Sequence, residues 1–247
     1  IDRLHREVPA LGAVNLAAAT TGFDISAAGP QTIGSLAGVA GSTVTLGGST
    51  LTLGGVGNSV YDGLIVGTGG LVKNGAGIQT LGGANTFSGG VALNAGGLVL
   101  GNNGALGTGT LSVGGNASLD TTAALNLTNA IDLAAGANLD LLGSNPLGLG
   151  GAISGAGGLI KDGAATVTLT GANTYTGGTT INSGTLAIGA GGSLSGTGAV
   201  NLAGAGTFDI SAATGGQTIG SLAGVAGSNV ALGGNSLTLG GATDSTF

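Results

Sequence analysis

The residues able to do chemistry are few and scattered. Ten acidic side chains, four basic ones and one histidine serve a chain of 247 residues that contains no cysteine. His5 has no triad or metal partner within sequence reach and reads as a solvated terminal residue. Without cysteine there is no disulfide framework, thiol nucleophile or thiolate metal site. A glycosidase-type pair needs two acids held roughly 5–10 Å apart, and Asp132 with Asp140 would supply one if the fold brought them onto adjacent coils. Asp24, Asp120 and Asp209 recur at equivalent positions, in "FDIS" or "SLDT". Such recurrence points to a structural role, as an outward strand residue or a turn acceptor.

The remaining motifs carry less. The aspartates are too few for calcium-binding G-G-x-G-x-D nonapeptides. "GTGGLVKNGAG" (Gly67–Gly77) lacks both the lysine spacing and the strand–loop–helix context of a phosphate loop. The pairs Thr43/Thr45, Thr50/Thr52 and Thr166/Thr168 suggest the threonine face of an ice-binding solenoid but are interrupted, and threonine on an exposed strand is ordinarily a good β-former. No catalytic, cofactor-binding or metal-binding residue is therefore assigned, and no enzyme activity is expected.

Composition sets the elements that must position these groups. Glycine supplies 58 residues, yet 42% of the chain is hydrophobic and only 6% charged, the reverse of the disorder signature. Two tyrosines, four phenylalanines and no tryptophan leave a thin core of small aliphatics. Net charge is −6, and beyond Arg3 and Arg6 the only cations are Lys73 and Lys161. A basic patch for nucleic acid or for an anionic membrane surface cannot be built from these. No apolar run approaches the roughly 20 residues of a membrane-spanning helix, so no membrane insertion of this segment is expected.

Self-similarity dominates the rest. Ala13–Gly55 returns as Ala199–Gly241, at an offset of 186 that slips to 185 around Phe23 and Phe208. "GGLVKNGAGIQTLGGANTFSGG" (Gly69–Gly90) returns as "GGLIKDGAATVTLTGANTYTGG" (Gly157–Gly178), at an offset of 88. "TVTL", "TLTL" and "TLSV" alternate at period two and are separated by glycine-bearing turns, the pattern of short strands. Even "NLTNAIDLAAGANLDLL" favours strands broken at Gly136 over a helix. Thr179, Ile181, Leu186 and Ile188 are expected to face inward. Ile181 and Leu186 are five apart, so Asn182-Ser183-Gly184 must turn a corner that restores the inward phase. "GANTYTGG" is expected to punctuate the coils. Strand, corner and strand about every 20 residues predict an all-β fold, a parallel β-helix (β-solenoid). A sandwich of antiparallel hairpins is the alternative, and a membrane barrel fits less well without aromatic girdles.

"GGLIKDGAATVTLTGANTYTGGTTINSGTLAIG" (Gly157–Gly189) closely resembles the autotransporter-associated β-strand repeat. Gly69–Gly101 resembles it too, with Phe-Ser replacing Tyr-Thr and no threonine pair after the double glycine. The resemblance implies a right-handed parallel β-helix in the passenger of a bacterial type V secreted, adhesin-like protein. It implies export across the outer membrane to the cell surface, with a signal sequence upstream and a translocator barrel downstream. Absence of cysteine suits threading through a narrow pore.

The expected organisation is an N-terminal flank or cap at residues 1–12 and a solenoid repeat region at 13–247. The chain is expected to be a fragment of a longer array ending mid-coil, since Phe247 aligns with Tyr61. The leading function is a non-catalytic scaffold or adhesin stalk that meets host or neighbouring-cell surface molecules or glycans. A self-assembling fibre, joined head to tail through open solenoid ends, and a polysaccharide-acting β-helix enzyme are the alternatives.

Overall fold

A computed structural model describes residues 12–241 and 245–247. The flank expected at 1–12, with Arg3, His5 and Arg6, lies outside the described residues except for Gly12. The chain divides into two compact units, 1–117 and 118–247. Each is a parallel β-solenoid, and the described residues contain strands and turns but no helix.

In the first unit, one coil runs through β1 (Ala13–Leu16), β2 (Gly22–Asp24) and β3 (Gln31–Ile33). The next runs through β4 (Ser35–Gly38), β5 (Thr43–Gly47) and β6 (Leu51–Leu53), and the third through β7 (Ser59–Tyr61), β8 (Leu64–Gly67) and β9 (Leu71–Lys73). Then come β10 (Ile78–Leu81) with β11 (Val91–Leu93), and β12 (Gly97–Leu100) with β13 (Leu111–Val113). Stacking these coils gives three sheets, ordered β1-β4-β7-β10-β12, β2-β5-β8 and β3-β6-β9-β11-β13.

In the second unit the coils are β14 (Ala117–Thr121), β15 (Leu125–Leu127), β16 (Ile131–Leu133), then β17 (Asn138–Leu141), β18 (Leu147–Leu149), β19 (Ile153–Gly155). They continue with β20 (Gly158–Lys161) and β21 (Thr166–Leu169), then β22 (Thr179–Ile181) and β23 (Thr185–Ile188). The last two are β24 (Val200–Leu202), β25 (Thr207–Asp209), β26 (Gln217–Ile219) and β27 (Leu222–Gly224), β28 (Asn229–Ala231), β29 (Leu237–Leu239). Sheets ordered β14-β17-β20-β22-β24-β27 and β15-β18-β21-β23-β25-β28 form two sides, with β16-β19 and β26-β29 on the third. The pairs are parallel, as between β20 and β22 or β21 and β23, which excludes the hairpin sandwich.

The internal repeats of the sequence are repeats of register. Val14 sits on Leu36 as Val200 sits on Leu222, Phe23 on Val44 as Phe208 on Val230, and Gln31 on Leu51 as Gln217 on Leu237. Alternation supplies the core. One inward row reads Leu147, Val167, Leu186, Phe208, and burying each such side chain contributes roughly 1.5–3 kcal/mol.

The corner at Asn182-Ser183-Gly184 does what the phase argument requires. Ile181 and Leu186 are both fully buried on either side of it. Gly184 has φ +65°, and a Cβ there would run into the backbone of Gly163 and Ala164 in the coil below. Gly136, likewise at φ +77°, breaks the strands where expected. "GANTYTGG" differs from expectation. It does not punctuate coils but forms a side of one, extended and bonded in parallel to its neighbours. The Thr174 and Thr176 amides donate to the Ile153 and Gly155 carbonyls at 2.8 and 3.0 Å.

Candidate functional site

Two stretches concentrate polar side chains inside the wall, and both sit in the 88-residue repeat. Asn85 and Asn173 are the asparagines of the GAN motif, 4% and 3% exposed. Each side-chain amide acts as a rung between coils. The Ile65 amide donates to Asn85 Oδ1 at 2.8 Å, and Asn85 Nδ2 donates to the Ala105 carbonyl at 2.6 Å. In the second copy Ile153 N–H donates to Asn173 Oδ1, and Nδ2 donates to the Gly171 and Ser193 carbonyls, all at 2.9 Å. A carboxamide offers both donors and an acceptor, so it can serve the coil below and the coil above together.

Two residues on, Phe87 and Tyr175 fill the interior. The Tyr175 hydroxyl lies 2.6 Å from Thr179 Oγ1, and both residues are buried. Burial pushes the Tyr175 phenol up to about 12, with the Thr179 hydrogen bond opposing it. In the first copy the equivalent pair is Phe87 with Val91, and both hydroxyls are absent. Thus the two sequence differences between the copies are one physical difference. Each of the two buried hydroxyls satisfies the other.

Lys73 and Lys161, counted from sequence as the chain's remaining cations, are inside the wall, 3% and 0% exposed. They occupy inward rows, Leu53–Lys73–Leu93 and Leu141–Lys161–Ile181. Their ammonium groups turn to the corner and cap carbonyls. Lys73 Nζ donates to Gly75 and Ala95, and Lys161 Nζ to Asp162, Gly163 at 2.8 Å and Ser183 at 3.3 Å. Burial lowers both lysine pKa values, and the Asp162 and Asp140 charges oppose that for Lys161. A signal for this existed in the sequence: each lysine falls two residues after an inward leucine, Leu71 or Leu159, at the same strand parity.

The recurring aspartates are turn acceptors. Asp24 and Asp209 accept the Ser26 and Ser211 amides at 2.9 and 2.8 Å, and Asp120 accepts from the Thr121 and Ser144 amides. Asp132 and Asp140 are not stacked. Asp132 lies beside Ser154 in the β16–β19 pair, and Asp140 beside Ile160 in the β17–β20 pair, on consecutive strands that belong to different sheets. The corner at 134–137 sends the two strands into different sheets, so sequence proximity does not stack the two acids. The acid whose charge acts on Asp140 is Asp162, one coil on. Burial, then the Asp162 charge, pushes Asp140 up to about 6, while Lys161 opposes the shift.

Three surface grooves of 450–540 Å³ are lined by glycine, serine, threonine, asparagine and small aliphatics. Two are equivalent and follow the double glycines Gly89-Gly90 and Gly177-Gly178. None of the three includes Asp140 or Asp162, so the acid pair has no cleft among them. Since both lysines are internal, the surface of the described residues carries no exposed cationic side chain.

Comparison with known proteins finds a family that two segments of the chain match. The passenger-associated-transport-repeat model matches residues 71–100 and 159–188. Those spans coincide with β9–β12 and β20–β23, each a pair of strands stacked on the next pair with the GAN segment between. The chain is 37% identical to the adhesin BmaC autotransporter of Brucella suis biovar 1 (strain 1330) over 157 residues, 62% of this chain. The chain covers 4% of that relative's length. No solved structure matches the chain. Residues 71–100 and 159–188 match the passenger-associated-transport-repeat family, and the chain is similar over 157 residues to part of an autotransporter adhesin.

Proposed function

We propose that the chain is a non-catalytic length of an adhesin passenger displayed outside the cell, presenting a flank of hydroxyl and amide groups for repeated weak contacts. The observation that carries this reading is the placement of both lysines inside the wall. The described outer surface then offers threonine, serine, asparagine and isolated carboxylates, without the cations that bind polyanions. The repeat family and the adhesin relative support the location and the adhesive role. Contacts repeated coil after coil gain strength through effective concentration, not through one deep pocket. Partners are surface glycans or proteins of a host or neighbouring cell, recognised by hydrogen bonding.

An antibody raised against the 247-residue chain tests both parts. It should label intact source cells without permeabilisation, and its monovalent fragments should reduce attachment of those cells to a host monolayer. Labelling confined to permeabilised cells would overturn the location, and undiminished attachment would overturn the adhesive role.

A further inference from the structure

Each buried ammonium group is surrounded by backbone oxygens. Lys161 Nζ donates to the Asp162 carbonyl, to Gly163 at 2.8 Å and to Ser183 at 3.3 Å. The first two carbonyls belong to the corner of its own coil and the third to the corner of the next. In the first unit, Lys73 Nζ donates to the Gly75 carbonyl of its own corner and, at 3.4 Å, to Ala95 in the next coil. An ammonium has three donors and no acceptor, so carbonyls from two coils match it. Glycine makes the room. A Cβ on Gly143, at φ +62°, would lie 2.8 Å from Lys161 Nζ, and one on Gly96, at φ +72°, would lie 2.8 Å from Lys73 Nζ.

No carboxylate is needed at these corners. Asp162 offers the lysine its carbonyl, while its carboxylate accepts from Asn182 Nδ2 at 2.7 Å. In the first unit Asn74 stands in that place and accepts from Asn94 Nδ2 at 2.8 Å. The lysine stems run in rows that are otherwise aliphatic, Leu53–Lys73–Leu93 and Leu141–Lys161–Ile181. A shift of two residues along a strand keeps every inward side chain inward, so an aliphatic row discriminates weakly against it. An ammonium in the row discriminates strongly, because the shift takes it away from its carbonyls and leaves a buried charge unsatisfied.

We propose that these two corners are ammonium-binding sites, built from the carbonyls of consecutive coils and filled by the chain's own lysine, which thereby fixes the stacking register of those coils. The ligand class is a primary alkylammonium, with a charge, three N–H donors and a thin aliphatic stem.

Lys161→Ala removes Cγ, Cδ, Cε and Nζ, the atoms of propylammonium, so the missing group can be supplied separately. Deuterium exchange of the whole chain reads the amides of Asp162, Ala165 and Asn182, which donate to the Leu141, Gly143 and Lys161 carbonyls across the corner. The variant should lose on the order of ten- to hundredfold protection there, because its buried carbonyls are orphaned, with residues 73–77 unchanged. Propylammonium should bring back about tenfold. Propanol, of similar shape without charge, and tetramethylammonium, of the same charge without a donor, should bring back none. Lys73→Ala, read at 74–77 and 94–97, repeats the test in the first unit should the other variant fail to fold. Lys161→Met keeps the apolar row and drops the charge, so β20 and β22 should exchange as two populations where the native chain shows one. The native chain needs no variant for a further readout: the ammonium protons of both lysines, held by carbonyls, should be visible by nitrogen-edited NMR at neutral pH. Unchanged protection in the folded alanine variants, equal rescue by all three probes, or native ammonium protons lost to exchange would overturn the site, and a single population in Lys161→Met would overturn its register role.

Discussion

Replacing Tyr175 by phenylalanine removes one hydroxyl from a residue 2% exposed and leaves Thr179 Oγ1 without its partner at 2.6 Å. A buried hydroxyl left unpaired costs about 1–3 kcal/mol. Thr179→Val orphans the tyrosine hydroxyl instead and should cost about as much. The double variant Tyr175→Phe/Thr179→Val leaves neither hydroxyl behind. It reproduces the pairing of Phe87 with Val91, which the first repeat already buries. Its cost should fall below about 1 kcal/mol, so the coupling between the two sites is at least about 1 kcal/mol. Deuterium exchange across residues 173–181 in the four proteins measures this locally, which suits a fold whose coils open separately. Additive single costs would refute the reasoning, because they would mean that neither hydroxyl depends on the other. An alkaline titration gives a second readout. The Tyr175 phenol in the fold titrates at about 12, above its ordinary 10.0. Its contribution is therefore complete below about pH 10 and disappears as pH rises through about 12. Tyrosinate absorbance of Tyr175 should emerge together with unfolding, not before it.

Two further substitutions test the wall. Asn173→Ala leaves the Ile153 amide and the Ser193 carbonyl without their rung and should cost more than about 2 kcal/mol in urea denaturation followed by circular dichroism; a change near zero would refute the rung. Gly163→Ala places a methyl against the Leu142 carbonyl at φ +70°, whereas Gly136→Ala, at φ +77°, meets nothing within 4 Å. The second should cost only the backbone strain of about 1–2 kcal/mol, and the first clearly more, in thermal melts.

Much of the fold was legible because a solenoid writes its geometry as repetition. Alignment of the copies placed Thr179, Ile181, Leu186 and Ile188 inward, and the odd spacing from Ile181 to Leu186 demanded the corner at Asn182-Ser183-Gly184. Asp24 and Asp209 were readable as structural because they recur, and the fold makes them turn acceptors. The GAN segment was not readable in the same way. Its asparagine is polar and flanked by glycine, which signals a turn, yet its carboxamide replaces peptide groups in a ladder whose other members lie 20 residues away.

Alternation and self-similarity were enough to expect stacked coils with inward aliphatic rows, while the strand pairing in the fold excluded the hairpin sandwich. Only the tertiary structure decided where the charges went. It turned Lys73 and Lys161 into internal caps and put Asp132 and Asp140 in different sheets. The physical reason is that neighbours along a solenoid are one coil apart in sequence. A polar side chain finds its partner across that distance, and the register of the coils chooses which residue it meets.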